Sequence, residues 1–179
     1  MSSKHRLVAL VGAGLTVVAL TAATVGSASA DDGLRIQIRD DCDPTTFNLA
    51  VRPGACVGHG ETTFDAFINE LIATHTVKKW AFKPDQAEVK AGQMVVATNR
   101  GGETHSFTCV TQFGGGIIAD LNKAGGFSTP AVPCVGEDVG RTFIPSGGYR
   151  NVPVGSPGTA MYQCFIHPWM RTTLRVENS

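Results

Sequence analysis

Near its C-terminal end the chain reads Tyr162-Gln163-Cys164-Phe165-Ile166-His167-Pro168-Trp169-Met170-Arg171. A thiol, an imidazole and a thioether follow at three-residue intervals: Cys164, His167 and Met170. They are a soft anion, a borderline nitrogen and a weak soft sulfur. Copper is the metal that accepts all three, since thiolate and thioether favour Cu(I) and imidazole suits both oxidation states. A trigonal site of this kind needs one more imidazole and keeps the Met as a long axial ligand. Outside the first 30 residues the remaining histidines are His59, His75 and His105. His105 opens a strand-like segment after Asn99-Arg100-Gly101-Gly102-Glu103-Thr104. A Greek-key barrel can bring such a strand start beside the loop between its last two strands. The expected ligand set is therefore His105, Cys164, His167 and Met170. His59 and His75 lack partners at metal spacing and read as surface residues. Singly, each expected ligand has a plainer reading: an inert buried thiol, a core Met, a hydrogen-bonded His. The combination points to a metal.

The cysteine count bears on the same residues. Cys42, Cys56, Cys109, Cys134 and Cys164 are five, an odd number. In an oxidising compartment thiols pair, so one is left over and needs a reason. A thiolate bound to metal is protected from pairing, which makes Cys164 the odd one. Four cysteines still allow three pairings. Cys42 and Cys56 lie close together between turn residues, and Cys109 and Cys134 bracket a Gly-rich stretch, so these two bridges are expected. The shorter loop would contribute about 3 kcal/mol in the chain-entropy model. Cys109 lies four residues after His105 and on a regular strand would face the same side, so a second sulfur ligand is the alternative there. A catalytic Cys–His pair formed by Cys164 with His167 or His105 is formally open, but it gives Met170 no role.

These residues need elements to hold them. Residues 31–60 read as irregular, with an Asp-rich start. Residues 62–72 read as one short helix, with Phe64, Phe67, Ile68, Leu71 and Ile72 forming an apolar stripe. Thr62 and Asp65 resemble a capping box at its start. The stripe reads as packing. From residue 75 the pattern turns to short strands, expected near 76–82, 88–90, 94–99, 105–110, 141–144, 159–165 and 172–177. Thr172, Leu174 and Val176 alternate with Thr173, Arg175 and Glu177, the period of a half-buried strand. So many strands over the second half of the chain imply an all-β Greek-key sandwich or barrel with a short N-terminal helical extension. The ligand loop should lie at one end of it. Gly114-Gly115-Gly116 has no Gly-Lys-Ser/Thr continuation and is no phosphate cradle.

Composition and the N-terminus set the compartment. The 179 residues are 42% hydrophobic and 17% charged, with formal net charge +0. Lys4 and Arg6 are the only charged residues before position 31, so the rest carries 13 basic and 15 acidic side chains and is slightly negative. That balance lacks the footprint of a nucleic-acid binder and the basic cluster that would hold the chain on an anionic membrane. Lys4-His5-Arg6, an apolar run over residues 7–20 and Ala28-Ser29-Ala30 have the form of a secretory signal peptide cut after Ala30. An uncleaved anchor helix is the alternative. The expected organisation is a signal peptide over 1–30, an extension with a disulfide and a helix over 31–72, and a metal-binding domain over 73–179, exported and without stable membrane insertion.

Cys164-Phe165-Ile166-His167-Pro168-Trp169-Met170 resembles the short ligand loop of cupredoxins of the plastocyanin and amicyanin type. Trp80-Ala81-Phe82-Lys83-Pro84, Val89-Lys90-Ala91-Gly92-Gln93, then Asn99 and His105, are similar to that family's leading half in order and spacing. The resemblance covers roughly residues 75–177. It implies a β-sandwich, one type 1 copper and electron transfer between redox partners. By that match His105, Cys164 and His167 are the strong ligands and Met170 the weak axial one. Three departures stand out. Ser106 follows the first His where relatives often have Asn, and its hydroxyl is expected to brace the thiolate. Residues 111–158 are longer than in small members. Residues 31–72 have no counterpart in the smallest ones.

The implied function is a one-electron carrier cycling between Cu(II) and Cu(I), with a copper storage, delivery or sensing protein as the alternative. His167 would place a ring edge near the surface as the electron port, Pro168 would stiffen the loop, and Trp169 and Ile166 would form an apolar patch for a brief encounter with a redox partner. Multicopper enzymes need further His clusters, which the four histidines beyond residue 30 cannot supply.

Overall fold

Alternating apolar side chains set the sheets of the protein, whose computed structural model describes residues 33–179. The signal-peptide assignment lies outside these residues. In chain order the elements are β1 (Leu34–Arg39), α1 (Pro44–Ala50), α2 (Phe64–Thr74), β2 (Ala81–Lys83), β3 (Gln86–Lys90), β4 (Met94–Asn99), β5 (His105–Ser106), β6 (Thr108–Gln112), α3 (Ala119–Ala124), β7 (Val132–Pro133), a 3-10 turn (Val139–Thr142), β8 (Phe143–Ile144), β9 (Tyr149–Pro153), β10 (Gly158–Gln163) and β11 (Arg171–Glu177). One sheet has the order β2-β1-β4-β9 and the other β3-β11-β10-β6-β7. β1 runs parallel to β4 and β3 parallel to β11; the other pairings are antiparallel. Ile36, Ile38, Val95 and Ala97 from the first sheet meet Val89, Leu174 and Val176 from the second in one buried cluster. The architecture is a β-sandwich, as expected.

The register explains how the ligand loop is aimed. β10 and β11 pair from Gly158↔Val176 to Gln163↔Arg171, so residues 164–170 form the connection of a hairpin. β10 also pairs with β6, with Gln163 opposite Thr108. That alignment puts β5, two residues before β6, beside Cys164. β5 in turn pairs with β8 through His105↔Ile144 and Ser106↔Phe143.

The N-terminal segment departs from expectation. Residues 31–60 read as irregular, yet β1 lies inside the first sheet between β2 and β4. Its Leu-Arg-Ile-Gln-Ile-Arg alternation buries Ile36 and Ile38. It escaped the sequence reading because it is short and flanked by acids. α1 follows at once, with Asp43 accepting from Thr46 N at 2.8 Å and Pro44 in the first turn. The segment read as an extension therefore supplies a strand to the sandwich itself.

α2 forms where a helix is expected, one residue late. Thr63, not Thr62, is its N-cap and accepts from Ala66 N at 3.3 Å. Thr62 instead donates to Asp41 at 2.7 Å. Phe67 and Leu71 are buried, as packing requires, while Ile72 is exposed. His75 ends the helix in the left-handed conformation at φ 59°. The strand expected at 76–82 is a turn, closed by Trp80 N donating to Val77 O at 3.0 Å, and only Ala81–Lys83 is extended. The strand expected at 105–110 breaks at Phe107, whose N–H leaves the ladder for Thr142 O at 3.0 Å. The segment near 141–144 is half 3-10 turn, because Asp138 caps Gly140 N at 3.0 Å. α3, β7 and β9 had no sequence signal: two are very short, and β9 contains Asn and Pro.

Trp80 joins α1, α2 and the sandwich. It stacks on Phe47 at 5.8 Å between ring centres and tilts against Phe67 at 4.8 Å, fully buried. Trp80→Ala should cost about 3–5 kcal/mol of stability, read as a lowered midpoint in denaturant unfolding. A loss below about 1 kcal/mol would show that the helices do not depend on this ring.

Candidate metal centre

Three donor atoms meet at one end of the sandwich. Cys164 Sγ lies 3.8 Å from His105 Nδ1 and 3.9 Å from His167 Nδ1, and the two Nδ1 atoms are 3.2 Å apart. A point equidistant from three atoms so placed is about 2.1 Å from each, the length of a bond from a borderline divalent metal to imidazole and about 0.2 Å short of one to thiolate. His105 and Cys164 are 0% exposed, His167 2% and Met170 1%. The hairpin connection is tied at both ends of its ligand span: Cys164 N donates to Met170 O at 3.0 Å and Met170 N to His167 O at 2.9 Å. Met170, itself buried, thus closes the loop that carries Cys164 and His167. Cys164 is the free cysteine among the described residues, and Cys42–Cys56 and Cys109–Cys134 form the two expected bridges, with Cα separations of 6.2 Å and 5.4 Å. The bridge removes Cys109 as a ligand. His59 and His75 are exposed, as read.

The surroundings of the sulfur differ in detail from expectation. Two backbone N–H groups, of Ser106 and His167, point at Cys164 Sγ, each at 3.4 Å. The Ser106 hydroxyl does not brace the sulfur. It accepts from Phe165 N at 2.8 Å and bonds Thr108 Oγ1 at 2.9 Å, which continues to Thr142 Oγ1 at 2.7 Å. Ser106 therefore ties the ligand loop to β5, and its main chain does the work foreseen for its side chain. Pro168 is buried, and its carbonyl accepts from Arg171 Nε at 2.7 Å.

His167 is not at the surface. Phe67 of α2 meets its ring edge-on at 6.0 Å and Trp169 at 5.4 Å. The expected exposed ring edge is corrected on this point: the helix of the N-terminal segment and the loop's own Trp cover it. From the longer 111–158 segment, Ile117 N donates to Phe165 O at 2.7 Å, so that insertion packs on the ligand loop as well.

Two carboxylates missed in the sequence complete the site. Asp40, just after β1, holds His105 Nε2 at 2.7 Å. Glu103 Oε2 lies 3.5 Å from His167 Nε2 and accepts from Trp80 Nε1 at 2.6 Å. With Nε2 carrying the proton, each Nδ1 is left as the donor that faces the sulfur. Asn99 keeps the turn before β5 in place, donating to Glu103 O and Ile144 O and accepting from Gly101 N. Asp40, Cys42 and Glu103 also lie close enough to suggest a second metal group. The disulfide takes the Cys42 sulfur and the imidazoles take both carboxylates, so this group is the outer frame of the same site. A signal for Asp40 did exist: an acid directly after an apolar-alternating segment.

Charge in the metal-free site follows from this frame. Burial pushes the His105 imidazolium towards losing its proton, but the hydrogen bonds and charges of Asp40 and Cys164 outweigh it and hold the pKa up at about 10. Burial likewise pushes the Cys164 thiol up, and the two imidazoles overcome it and bring it well below its ordinary value. Asp40 is raised by burial and lowered more by His105 and by the N–H groups of Gly102 and Glu103, ending at about 2. A thiolate and an imidazolium thus face each other where a cation would sit.

No protein-family model and no curated protein matches the chain. Among solved structures it is similar to a purple cupredoxin from Nitrosopumilus maritimus, at 15% identity over 80% of this chain and 99% of that one, with a TM-score of 0.41. A mutant plastocyanin of fern is 16% identical over the same shares, also with a TM-score of 0.41. A Cu(I) form of an amicyanin mutant is 18% identical over 54% of this chain and 73% of that one, with a TM-score of 0.35. The strand order and the His-Cys-His geometry themselves define the class, a β-sandwich with a buried group of potential metal ligands at one end.

The Asp40–His105 pair makes a pH prediction for the metal-free protein. Asp40 falls from 3.8 to about 2 on folding, so its contribution is present above 3.8 and is lost as pH falls towards 2. His105 rises from 6.5 to about 10, so its contribution is full below 6.5 and is lost as pH rises towards 10. The stability lost in Asp40→Asn should be largest between these limits, from 3.8 to 6.5, and should shrink as pH climbs towards 10. Urea unfolding of both proteins across that range checks it; a loss independent of pH would contradict the pairing.

Proposed function

We propose that the chain is a type 1 copper protein that carries single electrons between redox partners. The observation that carries the reading is the buried triangle of Cys164 Sγ, His105 Nδ1 and His167 Nδ1. Two imidazoles and one thiolate with a weak thioether fourth partner, here Met170, are the donor set of blue-copper electron-transfer sites. Bound copper would supply the one-electron couple. The chain's own part is to hold the ligands in one arrangement for both oxidation states and to keep water out. Cys164 accepts two main-chain N–H groups, and both imidazoles are held from behind, so little has to move.

Burial supports a carrier over other uses. A catalytic metal keeps an open position, whereas every ligand in this set is enclosed. Delivery or storage needs a route for the ion, and Phe67 and Trp169 cover the side on which His167 lies. The two disulfides fit an exported protein. Among the described residues no helix is long and apolar enough to cross a membrane.

The docking site for a redox partner is the loop's remaining exposed edge, Ile166 and Trp169, both half-buried. A groove of about 480 Å³ runs beside it, lined by Trp80, Trp169, Met170, Lys78, Lys83 and Arg171. The Trp169 indole N–H has no partner among the described residues. That N–H is itself buried, and the indole ring meets the His167 ring at 5.4 Å between centres.

Adding Cu(II) to the metal-free protein should produce an intense visible absorption that saturates at one copper per chain. Cys164→Ser should abolish it, and His167→Ala should shift or weaken it. Colour that survives Cys164→Ser would end the reading. Trp169→Ala should keep the spectrum and slow electron self-exchange between oxidised and reduced protein, measured by NMR line broadening; an unchanged rate would move the port elsewhere.

A further inference from the structure

We propose that Asp40 and Glu103 set the redox preference of the centre, favouring Cu(II) over Cu(I) by keeping both ligand imidazoles electron-rich. This rests on reading the site as a copper centre. Orienting a ligand imidazole requires only an acceptor for its far N–H, and a backbone carbonyl suffices. Here both imidazoles meet a carboxylate instead. Such a partner adds a full negative charge to the orienting contact and makes the ring a stronger donor.

The place is built to hold that charge. The Asp40 side chain is 1% exposed, and it accepts from Gly102 N at 2.9 Å, Glu103 N at 3.0 Å and Cys42 N at 3.3 Å. A Cβ on Gly101 would fall 1.9 Å from Asp40 Oδ2, and one on Gly102 would fall 2.7 Å from Cys42 Sγ. Only glycines let this turn close on the carboxylate. Glu103 is 12% exposed and shares its oxygen between Trp80 Nε1 at 2.6 Å and His167 Nε2 at 3.5 Å.

The balance of charge gives the direction. Reduction adds one electron, drawn from a one-electron donor, while the Asp40–His105 hydrogen bond at Nε2 stays in place. The added negative charge therefore meets two fixed negative charges in an enclosed site, where Coulomb terms are least screened. The oxidised state is favoured. Asp40 is closer, more enclosed and unshared with Trp80, so its effect exceeds that of Glu103.

The test uses the copper-loaded protein with Asp40→Asn and Glu103→Gln, each of which keeps an oxygen acceptor and removes the charge. The visible spectrum reports that the ligands are intact, and a spectroelectrochemical titration gives the midpoint. Asp40→Asn is expected to lower the ratio of Cu(II) to Cu(I) affinity about tenfold, a rise of about 59 mV for one electron, with a smaller rise in Glu103→Gln. Competition titrations should show that Cu(II) affinity falls more than Cu(I) affinity, because the lost charge attracts the doubly charged ion more strongly. Midpoints that stay or fall in folded, coloured variants overturn the proposal and leave the carboxylates as orienting groups. If Asp40→Asn does not fold, Glu103→Gln decides alone. A parent protein that develops no colour with Cu(II) overturns the copper reading with it; a coloured parent with unmoved midpoints overturns this inference only.

Discussion

Three polar donors held within 4 Å of one another in a dry interior do not pack of their own accord. Each has to be fixed from behind, and much of the fold serves that end. The β10–β11 hairpin supplies Cys164, His167 and Met170 on one tied connection. β5 supplies His105, and its position follows from the register of β6 against β10. Ser106 then joins the two by accepting from Phe165 N. A slip of one residue between β6 and β10 would turn the neighbouring side chains to the opposite face and separate the imidazoles.

The N-terminal segment forms the rear and side walls of the site. β1 ends at Arg39, so Asp40 emerges where the first sheet meets the turn before β5. The Cys42–Cys56 bridge lies against that turn, with Gly58 and Gly102 too close for any side chain between them. α2 then lays Phe67 over His167, anchored by Trp80 and Phe47. One aromatic cluster therefore stabilises the helices, roofs the site and, through Trp80 Nε1, steadies Glu103. Loss of stability and loss of site geometry share a cause here.

What the sequence disclosed and what it hid divide along contact range. Cys164, His167 and Met170 are legible because their spacing is local, and the alternation of β11 is legible for the same reason. His105 had to be chosen among three histidines by the order of strands. Asp40 was hidden because its partner lies 65 residues away and because it sits among acids that normally face water. β1 was hidden by those same acids. The turn at 76–80 reads as strand because Val77 and Trp80 are buried one by one as the chain winds past α2, and burial without a ladder leaves the same residue types. The exposure of His167 was misjudged because no local pattern reveals that a helix some hundred residues upstream will settle on it.

The metal-free centre shows how such a site avoids collapse. Its thiolate and imidazolium attract each other across the space where a cation would lie, and Asp40 fixes the imidazolium from the other side. The proton on His105 Nδ1 then stands in for the ion. A bound metal would take the place of that proton, and the Asp40–His105 bond at Nε2 would lie outside the exchange. A site prepared in this way needs little rearrangement on loading. For the same reason it has little freedom to adapt when the charge of the bound ion changes by one. That stiffness is the property a one-electron site needs, and it originates in the carboxylates and main-chain N–H groups around the ligands as much as in the ligands themselves.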